Sequence, residues 1–118
     1  MTEPKDVIAR KLAHDVGKYV TRAARNLPKA GSIPPVLVDM LRRDVFGAPS
    51  DARTPMQTFE TLAATIADPR IDDVRARFTH ALSLQALATD DAVRAVAADA
   101  LAIERALTSL AHDLSEAR

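Results

Sequence analysis

The chain has 118 residues, with 16 Lys/Arg balanced by 16 Asp/Glu for a net charge of zero, and it is 47% hydrophobic and 27% charged. That length suits a single domain over residues 1–118, the composition is that of an ordinary globular protein, and a neutral total gives no electrostatic reason to expect nucleic acid. The lack of cysteine excludes disulfides, thiolate metal ligands and cysteine nucleophiles, and no apolar run approaches the roughly 18 residues of a membrane span.

No membrane association is therefore expected. The charged opening residues, interrupted by Pro4, argue against a signal peptide, so the cytoplasm is the expected compartment. Tyr19, Phe46, Phe59 and Phe78 are the whole aromatic set. A core must then be built from Leu, Val, Ile and Ala, with helices packed closely on small residues.

Thr2 and Pro4 suit the first turn of a helix, and Glu3 and Asp6 suit its positive end. The pattern predicts a helix from about Pro4 to Asn26, stopped by Pro28 and Gly31. At 100° per residue, Ile8, Leu12, Val16, Tyr19, Ala23 and Leu27 form one apolar stripe, the expected buried face. Gly17 weakens the middle of this helix by roughly 1 kcal/mol relative to Ala, which fits either a close approach of another surface or a helix packed well enough to tolerate it.

Ser32 is the expected cap of a short second helix, with Pro34 or Pro35 in its first turn, Leu37, Met40, Leu41 and Val45 on its apolar side, and Gly47 closing it. Thr54-Pro55-Met56-Gln57 reads as a capping box opening a third helix with Phe59, Leu62, Ala63 and Ile66 inward. Asp68-Pro69 repeats the cap-plus-proline signal. It predicts a fourth helix to about Ala88, with Ile71, Val74, Phe78, Leu82 and Gln85 on one side and Leu84 and Leu87 on another. Thr89, Asp90 and Asp91 make a tight connection and cap. Val93, Val96, Ala100, Ile103, Leu107, Leu110 and Leu114 then form a seam with spacings of three and four. Nothing reads as a strand. The expected fold is all-α: an up-and-down bundle of four main helices with two shorter helices in the middle of the chain.

The charge is unevenly placed. Residues 1–31 hold seven Lys/Arg and three Asp/Glu, whereas residues 84–118 hold three Lys/Arg and six Asp/Glu. An acidic partner would meet the first helix more readily than the last.

His14 lies about 170° from the centre of the first apolar stripe, so it is expected to project into water from a basic ridge. Arg10, Lys11, Lys18, Thr21, Arg22 and Arg25 share that side. A phosphoryl acceptor needs a neutral imidazole nitrogen open to a partner, cationic help for the phosphate and room for docking. Lys18, one turn on, can reach the same phosphate; Gly17 leaves space beside the ring; Arg10, Lys11 and Arg22 add positive potential.

The stretch resembles histidine-containing phosphotransfer domains, which are all-helical bundles of about this length. Their motif is an exposed His with Lys three residues later and Gly four later, whereas here Gly17 and Lys18 stand in the opposite order. Ala24-Arg25-Asn26-Leu27 is similar to the small-residue and Asn-Leu segment downstream in that family, at a longer offset, and the histidine here is on the first helix. The resemblance implies a small signalling or adaptor bundle that acts as a phosphohistidine carrier, more a carrier than an enzyme, relaying phosphoryl groups to or from an acidic receiver domain. No cofactor and no metal site are expected.

His-Asp-Val-Gly-Lys at 14–18 also resembles the signature of HD-domain phosphohydrolases. That family needs a histidine well upstream, and none of the thirteen residues before His14 is one. A metal would require His80 and His112 to converge on His14, yet both sit off their helices' apolar stripes. Asp72-Asp73 and Asp90-Asp91 are explained by their expected place at helix starts. Two other expectations compete with the carrier. The basic face of the first helix is a solvated surface without chemistry, or the chain is a non-catalytic interaction or dimerisation module using the seam of the last helix and the extra leucines before it. The recurrence of Leu-Ala-His-Asp at 12–15 and 110–113 is read as chance in an Ala/Leu-rich chain.

Overall fold

Proline followed by helix-compatible residues sets where most of the helices begin. The computed structural model describes residues 4–116, and every regular element among them is helical. Chain order runs α1 (Lys5–Lys11), a π-helical segment (Leu12–Gly17), α2 (Lys18–Val20), a 3-10 turn (Ala24–Asn26), α3 (Pro35–Phe46), α4 (Pro55–Ala63), α5 (Pro69–Ser83) and α6 (Asp90–Glu116). The expected caps at Thr54 and Asp68 form. Thr54 accepts from the Gln57 amide at 3.1 Å while the Gln57 side chain accepts from the Thr54 amide at 2.9 Å. Asp68 accepts from the Arg70 amide at 2.8 Å. Thr89 accepts from the Ala92 amide and opens α6. Ser32 caps nothing, because α3 starts later, at Pro35, after an extended Pro34. Thr2 and Glu3 lie outside the described residues.

α6 is the spine. Val93, Val96, Ala100, Ile103, Leu107 and Leu110 are buried and Leu114 is half-buried, as the seam predicts. α5 packs along one flank of it, and the rod formed by α1, the π segment and α2 packs along the other. Phe59 from α4 meets Phe78 from α5 with ring centroids 5.6 Å apart. The long axis of 47 Å reflects α6, whose 27 residues span about 40 Å at 1.5 Å each.

Several expected details change, each for a local reason. The stripe of the first rod passes through Val20, which is fully buried, and Tyr19 is 45% exposed. The wider π turn takes in one extra residue, so the inward positions fall at Ile8, Leu12, Val16 and Val20, every fourth residue. The rod also stops being α-helical at Val20. The Thr21 hydroxyl donates to the carbonyls of Gly17 and Lys18, and Thr21 turns to φ −96°, ψ 0°. On α3, Leu41 and Val45 face inward but Met40 is exposed. α5 ends at Ser83, not near Ala88: the Ser83 hydroxyl donates to the His80 carbonyl, and the chain turns. Ala81, three residues after Phe78, takes the inward place expected of Leu82; beyond the helix end Gln85 is exposed and Leu87 is buried within the connection at φ +48°.

Candidate functional site

The π turn that reorients the rod also contains His14. Its side chain is 67% exposed, and Nδ1 lies 3.2 Å from Asp15 Oδ1. If the ring donates its Nδ1 proton to this carboxylate, Nε2 carries a free lone pair facing solvent. The ring opens onto a shallow groove of about 450 Å³ between the first rod and α6, lined by Arg10, Ala13, His14, Lys18, Arg25, Glu104 and Ala111. Ala13 and Ala111 floor it with small apolar surface. Arg10, Lys18 and Arg25 give it a positive rim, with Glu104 the one carboxylate.

Gly17 sets the width of this junction. It is buried, and a Cβ placed there would lie 3.4 Å from the Glu104 Cα. The absent side chain thus lets α6 come close to the rod and brings Glu104 under the groove. Glu104 Oε1 accepts from Arg25 Nη2, which holds that guanidinium over the groove. The other oxygen, Oε2, is buried without a hydrogen-bond partner among the described residues. Arg10 is steadied from behind by the Asp6 carboxylate at 3.3 Å.

Of the residues singled out from the sequence, His14, Lys18 and Arg10 line the groove together. Gly17 lies beneath it, facing α6 and not the ring. Lys11 is half-buried outside the groove. Arg22 is drawn to another surface, where it donates to Asp44 at 2.8 Å and lies 4.8 Å from the centre of the Tyr19 ring. Arg25 joins from the ridge, and Glu104 joins from α6. No local pattern marked Glu104, because its role depends on a partner 79 positions earlier.

No group of three or more His, Asp or Glu that could hold a metal ion converges among the described residues, so the three histidines do not form a metal site there. No helix of the described residues is long and apolar enough to cross a membrane. No family model, no curated protein and no solved structure matches this chain.

Proposed function

We propose that the chain is a small signalling or adaptor protein, an up-and-down helical bundle with α3 and α4 as its shorter pair, that carries a phosphoryl group on His14. The observation that supports this best is the pairing of an outward imidazole with a cationic groove: His14 sits 67% exposed at the mouth of a groove lined by Arg10, Lys18 and Arg25. On this reading Nε2 attacks the phosphorus of a partner's acyl phosphate or phosphohistidine. The N–P bond forms as the bond to the partner's oxygen or nitrogen breaks, and the electron pair leaves with that atom. Asp15 shares the proton on Nδ1 and balances the positive charge that develops on the ring. The cations of the rim neutralise the transferred oxygens, and they favour approach of an acidic partner such as a receiver domain. On this reading the chain is at most a phosphoryl carrier.

Incubation with a phosphorylated receiver or a cognate histidine kinase is expected to label the protein chiefly at His14, and His14→Gln is expected to remove most of that label. Lys18→Gln should slow transfer about tenfold, the effect of one lost charge-assisted contact to phosphate. Label that persists undiminished in the His14 variant would remove the proposal.

A second reading, a docking or dimerisation module without phosphotransfer, is favoured by one feature. The α6 seam is covered inside the chain, but Val36 and Met40, one turn apart on α3, are 63% and 41% exposed.

A further inference from the structure

A second histidine, on the opposite flank of α6, is more firmly built than the first. His80 lies in the last turn of α5, and its side chain is 58% exposed. Its Nδ1 is 2.6 Å from Oδ2 of Asp99 on α6, a carboxylate only 3% exposed. Arg77, one turn before His80, approaches the other oxygen of the same carboxylate at 3.5 Å and is itself 47% exposed. Neither the groove nor the carrier chemistry of His14 uses any of these three residues.

The geometry points to His80 as a nucleophilic histidine that accepts a phosphoryl group on Nε2, with Asp99 as its positioning residue and Arg77 as the stabilising cation. A buried carboxylate has two ways to satisfy its charge here, the imidazole N–H and the guanidinium. On a neutral ring, holding the proton on Nδ1 leaves the lone pair on Nε2 of a side chain that is 58% exposed, which is the form that attacks an electrophile. Arg77 contacts the same carboxylate as the ring and is half-exposed, so on this proposal its remaining N–H groups are the cationic donors within reach of a transferred phosphate. The His14–Asp15 pair has the same atoms in looser form: the separation is 3.2 Å and the Asp15 side chain is 54% exposed.

The donor class is a small phosphoryl donor with a good leaving group, a phosphoramidate or an acyl phosphate. With phosphoramidate in its zwitterionic form, the Nε2 lone pair bonds to phosphorus as the P–N bond of the donor breaks. The bonding pair leaves with nitrogen as neutral ammonia. The ring keeps its Nδ1 proton and becomes a phosphorylated imidazolium, and its positive charge is balanced by Asp99.

The test incubates the full chain with phosphoramidate and maps N–P adducts over time by mass spectrometry under alkaline conditions. His112, exposed on α6 and with no carboxylate bonded to its ring among the described residues, is the internal reference. His80 is expected to be modified about tenfold faster than His112, with Asp99→Asn removing most of that advantage and Arg77→Gln lowering it several-fold. Should Asp99→Asn fail to fold, two other readings decide the matter: the exposed Arg77 variant, and the nitrogen chemical shifts of His80 in the unaltered protein, which must report a proton on Nδ1. Equal rates at His80 and His112, or a proton resident on Nε2, would overturn the assignment. Adducts at His14 are counted separately and bear only on the carrier reading.

Discussion

Asp44 shows how much one side chain can hold. The first rod turns out of α-helix at Thr21, and in the turn that follows the amides of Arg22, Arg25 and Asn26 find backbone carbonyls while that of Ala23 is met by a side chain. Asp44 reaches over from α3, is 7% exposed, and accepts from the Ala23 amide at 2.9 Å and from Arg22 at 2.8 Å. Removing the carboxylate leaves a buried donor unsatisfied, whereas the exposed Arg22 returns to water. Asp44→Ala is therefore expected to lower stability by about 2–3 kcal/mol in urea unfolding. A loss below about 0.5 kcal/mol would mean that water replaces the carboxylate, and the capping account would fail.

The same residue marks the limit of what the sequence discloses. The outward His14 was legible because helical periodicity is a local property, and Thr54 and Asp68 were legible because caps act within three residues. Asp44, Asp99 and Glu104 look like surface acids on amphipathic helices. Their partners stand 21, 19 and 79 positions away, and only the packing brings them together. The wheel also failed at Tyr19, for a different reason: it assumes one uniform turn, and the rod does not have one.

At the level of elements, the start of α5 combines a cap with an ion pair. Asp68 holds both ends of the Arg70 fork at 2.9 Å, and Arg70 continues to Asp113 on α6 at 2.5 Å and to Ser109 at 3.1 Å. The hydrogen bond from the Arg70 side chain holds the Asp68 carboxyl below its ordinary value, and the Arg70 amide adds to this; burial works the other way. A carboxyl with a depressed folded pKa stabilises fully above its unfolded value, about 3.9, and the contribution disappears as pH falls through the folded value. Asn caps a helix about as well as Asp, so Asp68→Asn isolates the charge. Thermal unfolding should show the parent more stable than this variant at neutral pH, with the gap closing below about pH 4. A gap that stays constant into acid would show that the ion pair with Arg70 contributes nothing.

On the scale of the whole molecule, α6 serves as a common wall. Its apolar ridge is covered by α5 on one flank and by the first rod on the other. A chain that uses its best seam internally keeps little with which to pair with its own copy, beyond the exposed Val36 and Met40, which stand together on α3, and the separate Tyr19 and Leu82. The expected behaviour in light scattering is a single species whose mass does not change with protein concentration. Association that Val36→Glu and Met40→Glu together abolish would instead favour the docking module over the carrier. The uneven charge belongs to this scale too: basic residues concentrate on the rod that bears His14, and acidic ones concentrate toward the end of the chain. Capture of an acidic partner should weaken as salt is raised.

The wide turn from Leu12 to Gly17 carries one residue more than its length of α-helix would need. Losing Ala13 would shorten the step from Leu12 to Val16 from four positions to three, and both spacings keep two aliphatic groups on the same side of a helix. A deletion there could be absorbed by tightening the coil. The surplus residue makes this the expected point of least disruption for a change of length, with the imidazole displayed there re-aimed while Leu12 and Val16 stay inward.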